Sequence, residues 1–199
     1  MSATFVIVRH GDTFAPGVAP RRIGARTDLP LVESGRAQAA ALGAAFTRRG
    51  WRFDRILAAP LRRARDTAEA IRAALPDAPA LESADFLAEI DHGPDEDRAE
   101  PEVIARVGAA ALAAWDARGE PPPGWQVDPA ARLAAWRELY ARAKGATLLV
   151  TSNGAARFAL LAEPALALGL ASLKLRTGAF GLLRATPAGV ARLAWDERP

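Results

Sequence analysis

The sequence predicts an α/β fold with a mostly parallel central sheet, on three observations. Short apolar, β-branched runs alternate with segments whose apolar residues recur at helical spacing, an order that favours parallel strands joined by helices. Two of the runs, FVIV at 5–8 and TLLV at 147–150, are continuous enough to be buried on both faces. Both end abruptly, in Arg9-His10-Gly11 and Ser152-Asn153-Gly154. Ligands of such sheets bind beyond the carboxyl ends of the strands, so the two endings are expected to share one crevice.

The elements follow in order. Ala3 to Arg9 is the first strand; residues 11–33, with Gly11, Pro16, Gly17, Pro20, Gly24 and Pro30, are too punctuated for regular structure. Ser34 is the expected cap of a helix in which Ala37, Ala41, Leu42, Ala45 and Phe46 repeat at helical spacing until Gly50. Arg52 to Ala58 reads as a second strand, and Pro60 suits the first turn of a helix that runs to about Leu75. A short strand is expected near Ala80–Glu82, then an acidic loop over residues 91–100, DHGPDEDRAE. Two amphipathic helices, about 101–118 and 129–143, flank the rigid stretch GEPPPGW. Thr147 to Thr151 is a strand that breaks into a helix over about 155–168. Strands near 179–185 and 189–195 pair around Pro187-Ala188-Gly189.

Composition narrows the function. Half of the 199 residues are hydrophobic and a quarter charged, so a sizeable core forms and global disorder is excluded. With 26 basic and 23 acidic residues the net charge is only +3, a weak case for binding nucleic acid despite the arginine content. Cysteine is absent, which removes disulfides, thiolate metal sites and thiol nucleophiles. No stretch is long and apolar enough to span a membrane, and the opening MSATFVIVRH does not read as a secretion signal. The default expectation is a cytoplasmic protein with no membrane partner.

The strand endings carry the chemistry. An imidazole held at a strand end can attack phosphorus when one ring nitrogen is deprotonated and free. Arginine suits a phosphoryl group, since its planar fork holds two oxygens and brings charge to the transition state. Arg9 adjoins His10, and Arg62, Arg63 and Arg65 lie on the first turn of the next helix, an end that itself favours anions. The residues alone do not choose among those three. A carboxylic acid is needed to protonate the leaving oxygen, and Glu89 is the candidate. Asp91, Asp95, Glu96 and Asp97 raise the idea of a divalent cation, but without ligand spacing they read as a solvated loop, so no metal or other cofactor is assigned. Trp115, Trp125 and Trp136 read as packing residues.

Five blocks, VRHGDT (8–13), GARTDLPLVESGRAQA (24–39), APLRRARDTAE (59–69), LAEIDHG (87–93) and LLVTSNGAARFALL (148–161), resemble in order the motifs of the histidine phosphatase superfamily, which includes phosphoglycerate-mutase-like phosphatases. The resemblance implies a three-layer α/β/α sandwich in a single domain over 1–199. The segment 94–145, where it is thinnest, would form a variable helical cap. It implies His10 as nucleophile, Arg9 and Arg63 on the phosphoryl oxygens and Glu89 as general acid. Arg63 is preferred to Arg62 because the family's arginine stands three residues after the proline. Gly11, Thr13, Asn153, Gly154, Arg22 and His92 would line the phosphate and substrate pocket.

Two departures matter. The family has a second histidine where this chain has Asn153, which offers a hydrogen bond without charge or an exchangeable proton. By analogy with removing one preorganised oxyanion donor, the loss is about 10²–10³ in rate. His92 is a candidate partial replacement. Asn153 also suits the N-cap of the helix that follows it. Where many members have a phosphate-binding asparagine, the stretch is Phe14-Ala15-Pro16-Gly17, and Arg21 and Arg22 are candidates to line the pocket instead. The expected function is a metal-independent phosphomonoester hydrolase that acts on a small phosphorylated substrate through a phosphohistidine. The alternatives are a catalytically impaired member that binds a phosphorylated ligand or protein partner, and a mutase-type phosphotransferase. An apolar helix face in the cap offers a surface for a homodimer.

Overall fold

The computed structural model describes residues 2–199. Strand β1 (Ala3–Arg9) matches its expected bounds, and Phe5, Val6, Ile7 and Val8 are all buried, as a strand covered on both faces requires. The punctuated stretch contains one two-residue strand, β2 (Arg21–Arg22). Helix α1 (Glu33–Arg48) starts before Ser34: Val32 takes the cap position, and the Ser34 hydroxyl donates to Asp12 Oδ2 at 3.2 Å. β3 (Arg55–Ala58), α2 (Arg62–Ala74) and β4 (Leu81–Ser83) follow, β3 being shorter than its apolar run suggests.

The acidic loop is not a solvated one. Trp125 Nε1 donates to Asp95 at 2.6 Å, and the Glu96 side chain is only 8% exposed. Beyond them β5 (Arg98–Ala99) pairs antiparallel with β2, which ties the loop after β1 to this segment. The single helix expected over 101–118 is split into α3 (Glu100–Val107) and α4 (Ala109–Arg118). Gly108 divides them, its φ of +81° being open to glycine and costly for other residues. α5 (Pro129–Arg142) begins where Asp128 accepts the Ala131 N–H at 2.9 Å.

β6 (Gly145–Thr151) leads into α6 (Asn153–Leu161), which is shorter than expected because Pro164 cannot continue it and starts a 3₁₀ turn. β7 (Phe180–Thr186) and β8 (Gly189–Glu197) close the chain as a hairpin. The sheet order is β4-β3-β6-β1-β7-β8; β4, β3, β6 and β1 are mutually parallel, and β7 runs antiparallel to β1. The fold is therefore a mixed α/β sheet, mostly parallel and flanked by helices.

Register places the site. Arg9 lies opposite Thr151, and Ala58 opposite Val150, so the carboxyl ends of β1, β6 and β3 finish side by side. Phe5, Ile7, Ile56, Leu148 and Val150 are fully buried beneath those ends, each stabilising the fold by about 1.5–3 kcal/mol relative to exposure. A rigid sheet thus holds the two polar strand endings together.

Candidate active site

His10 is the first residue after β1. Its backbone N–H donates to Thr151 O at 3.0 Å, and only 3% of the residue is exposed. The ring Nδ1 lies 2.8 Å from Gly11 O. A carbonyl can only accept, so Nδ1 carries the proton and Nε2 carries the lone pair. Arg63 Nε–H donates to Nε2 at 3.2 Å. Burial foremost, then the Arg9 and Arg63 charges, hold the imidazole well below its ordinary value. A neutral ring with a deprotonated Nε2 is the form that can attack phosphorus.

Helix periodicity decides among the arginines of α2. Arg62 and Arg65 are exposed and Arg63 is fully buried. The Arg63 Nη1 and Nη2 groups also donate to Thr27 O at 2.7 Å and Gly24 O at 3.2 Å, clamping the loop before α1. One turn on, Thr67 donates to Arg63 O at 2.8 Å and accepts the Gly11 N–H at 3.1 Å. Gly11 therefore has no free N–H for phosphate; Thr67 uses it to lock the turn that carries His10.

Glu89 is 7% exposed and arrives from the chain after β4. Thr151 helps place it, donating to Leu87 O at 2.6 Å. Its carboxylate accepts the Ile90 N–H at 2.9 Å and the Gly154 N–H at 3.0 Å. Burial pushes the carboxyl up, but His92, those two N–H groups and Arg63 together outweigh it, so Glu89 lies below the usual carboxylate value. The N-terminus of α6, which favours a negative charge, adds to that preference. Gly154 is thus engaged by Glu89 and not available as a phosphate donor. A Cβ there would fall 2.1 Å from Glu89 Oε1.

Asn153 is the first helical residue of α6, and Ser152 holds the cap position; the expected asparagine cap is not formed. The helix starts two residues earlier than the expected position 155, so Asn153 lies inside it and not at its cap. Asn153 Oδ1 accepts the Leu175 N–H at 2.9 Å, which leaves the amide NH₂ as the group the residue can offer a ligand, and the residue lines the cleft. Arg9 reaches the same segment, Nη1 donating to Leu175 O at 2.9 Å. Its Nε is buried and has no partner among the described residues.

These groups meet in a cleft of about 830 Å³, within the size range of small-ligand sites. Eight of the ten residues singled out in the sequence line it: Arg9, His10, Thr13, Arg22, Glu89, His92, Asn153 and Gly154. Arg63 is not at the wall but donates to His10 Nε2, and Gly11 is tied to Thr67. Arg21 is also at the wall. Arg22 is held by Glu100 at 2.5 Å. Around the whole cleft the cations Arg9, Arg21, Arg22, Arg157, Lys174, Arg176 and Arg198 outnumber the carboxylates Asp12, Glu89, Glu100 and Asp116. An anionic ligand is favoured.

Several contributors escaped the sequence reading. Glu96 accepts from Gly24 N at 2.8 Å, Thr27 Oγ1 at 2.7 Å and His92 N at 3.1 Å, and sits 3.5 Å from His92 Nδ1. Burial pushes its carboxyl up, but His92, Thr27 and the Gly24 N–H prevail and hold it down at about 2. Asp12 accepts from Gln38 Nε2 at 2.8 Å and from Thr177, bracing the turn after His10. Arg157, 1% exposed, lines the cleft from α6. The one available signal was its spacing of four residues from Asn153, which puts both on one helix face.

A family model for the histidine phosphatase superfamily (branch 1) matches residues 5–196. Among solved structures, a mycobacterial hydrolase superposes with a TM-score of 0.81 at 23% identity, covering 100% of both chains. A mycobacterial glucosyl-3-phosphoglycerate phosphatase gives 0.77 at 23% identity, over 98% of this chain and 99% of that one. The alpha-ribazole phosphatase from Shigella flexneri gives 0.73 at 20% identity, over 98% and 96%. These likenesses establish the fold. No curated protein sequence matches the chain.

Proposed function

The chain belongs to the histidine phosphatase superfamily, and from that premise we propose that it hydrolyses small phosphomonoesters through a phosphohistidine on His10. The observation that carries the reading is the tautomer of His10. Nδ1–H is fixed on Gly11 O, and the Nε2 lone pair, which accepts from Arg63, belongs to a residue of the cationic cleft.

The substrate phosphate sits between Arg9, the Asn153 amide and His10. The Arg63 Nε–H that holds Nε2 turns to a phosphoryl oxygen as Nε2 attacks, so a buried positive charge follows the developing negative one. The Nε2–P bond forms and the P–O ester bond breaks. The leaving oxygen needs a proton. Glu89 rests ionised, and a phosphoryl group arriving beside it raises its proton affinity by like-charge repulsion. A substrate that enters as the monoanion brings that proton, because its second ionisation lies near pH ~6. Glu89 passes the proton to the departing alcohol, then accepts one from the water that cleaves the phosphohistidine. Inorganic phosphate leaves as the monoanion, carrying off the proton that Glu89 took from water, so Glu89 is again ionised and His10 is again the neutral ring.

The test is phosphate release from an aryl phosphate across pH 4.5–8 (a window that brackets carboxylate and imidazole titration, about 4 to 7), with acid-quenched and alkali-quenched samples examined for a phosphoryl adduct. An adduct stable to alkali, labile to acid and absent from His10→Ala supports the reading. Turnover that persists in His10→Ala overturns it.

A second reading has one observation behind it. Asn153 spends its oxygen on Leu175 and presents only a neutral amide to the cleft, so the charge of a second imidazole is missing. A member that binds a phosphorylated ligand without turnover would show a vanadate-induced rise in melting temperature and no phosphate release.

A further inference from the structure

We propose that Asp196, on β8, is a positioning residue of the phosphate site, which it sets by fixing the peptide between Leu175 and Arg176. The proposal rests on the phosphatase reading only in taking Arg9 and Asn153 as groups that hold phosphoryl oxygens.

Residues 172–176 have no helix or strand to hold them, and Leu175 is fully buried. Leu175 N–H donates to Asn153 Oδ1, and Leu175 O accepts from Arg9 Nη1, both at 2.9 Å. One residue thus orients two site groups. The first bond decides which end of the Asn153 amide is left for a ligand, and the second fixes the Arg9 guanidinium.

That residue is held in turn from β8. The Arg176 N–H, which shares a planar peptide group with Leu175 O, donates to Asp196 Oδ1 at 2.6 Å. Asp196 Oδ2 accepts Arg176 Nε at 2.6 Å, and Asp196 O accepts Arg176 Nη2 at 2.9 Å. The peptide is therefore pinned at both ends, its carbonyl by Arg9 and its N–H by Asp196. Trp195 Nε1 adds a bond to Leu173 O at 3.2 Å. Arg176 lines the cleft and Asp196 does not.

Neighbours in a regular strand point to opposite faces, so Trp195 and Asp196 would not both reach one segment. The strand is irregular there. The two-residue step from Phe180 to Leu182 in β7 faces a three-residue step from Ala194 to Glu197 in β8, and Asp196 has φ +61°. Such a bulge re-aims a side chain, and a left-handed backbone at a residue other than glycine persists only where its surroundings hold it. The Asp196 charge also reaches the site: burial foremost, with the Arg63 charge added, pulls Arg9 down, and Glu89, Asp12 and Asp196 oppose it. Stability gives a weaker reason for the device, since the Arg176 side chain is 57% exposed and ion pairs at such sites contribute little.

Calorimetry with orthovanadate tests this without turnover. Asp196→Gly removes the carboxylate and accepts the left-handed backbone, so the bulge keeps its shape. Vanadate should bind at least about tenfold more weakly, the effect of one misplaced charge-assisted hydrogen bond, while the melting temperature stays within a few degrees of wild type. Asp196→Asn keeps an acceptor for the Arg176 N–H and tolerates the same backbone, so its affinity should stay within about threefold of wild type. In an Asn153→Ala background Asp196→Gly should cost less than in wild type, because one of the groups it acts through is gone. Should Asp196→Gly unfold, Asp196→Ala takes its place. Wild-type affinity in the folded variant, a loss that Asp196→Asn shares in full, a loss undiminished beside Asn153→Ala, or no vanadate binding by wild type overturns the proposal. The expected losses with no phosphate release by wild type from an aryl phosphate would instead reject the phosphatase reading and leave the positioning role standing.

Discussion

Gly154→Ala is the substitution that most directly tests how the acid is held. A Cβ at this position would lie 2.1 Å from Glu89 Oε1 and 2.9 Å from its Cδ. Neither distance is tolerable, so the carboxylate must retreat by about 1 Å and lose the Gly154 N–H bond, now 3.0 Å long. A bond to a charged acceptor is worth about 1.5–3 kcal/mol. Alanine returns up to about 1 kcal/mol as the better helix former. The net loss of stability is then about 0.5–3 kcal/mol, readable by urea unfolding. Activity should suffer more, since a 1 Å misplacement of a reacting group costs about 10²-fold. The decisive assay is a double-mutant cycle: kcat/KM of wild type, Gly154→Ala, Glu89→Ala and the pair. If Gly154→Ala acts only through Glu89, it should cost nothing further in the Glu89→Ala background. A further tenfold loss in that background, or wild-type activity in Gly154→Ala, would refute the argument.

Asn153→His should raise turnover of an aryl phosphate, by up to about 10²–10³, because it restores a charged donor to the phosphoryl group; a drop in kcat with the fold intact would show that the Asn153–Leu175 bond matters more. Thr67→Val should destabilise the fold by about 1–3 kcal/mol, as it strands the Gly11 N–H in a buried place, and denaturant midpoints would report it. Glu96 is held at about 2 in the fold against an ordinary 4.5. Its folded value is depressed, so its contribution of up to about 3 kcal/mol is present above pH 4.5 and lost as pH falls toward 2. Urea unfolding of wild type and Glu96→Gln at pH 6 and pH 3 should show a gap that narrows in acid, and a constant gap would contradict the assignment.

Runs such as FVIV and TLLV leave a chain few ways to bury them, so β1 and the end of β6 were legible one residue at a time. The order of blocks pointed to one family, and sheet register then brought Arg9-His10 and Asn153 together as parallel neighbours must. Helix limits were less legible. Val32 rather than Ser34 opens α1 because the serine is drawn to Asp12, and Gly108 cuts one predicted helix in two. Glu96 read as solvent-facing because its partners, Gly24 and Thr27, are about seventy positions away.

The sequence by itself determined the layered α/β class, the histidine at a strand end, the absence of any thiol chemistry and the arginine that a family pattern selects. Only the tertiary structure decided which nitrogen of His10 carries the proton, that Glu89 rests ionised, and that Gly11 and Gly154 serve protein partners instead of phosphate. The reason is physical. Secondary structure follows from local spacing and burial, whereas the charge state and free valence of a group depend on the field and donors around it. Those come from segments such as Gly154 and Glu89, 65 positions apart, that meet only when the sheet is assembled.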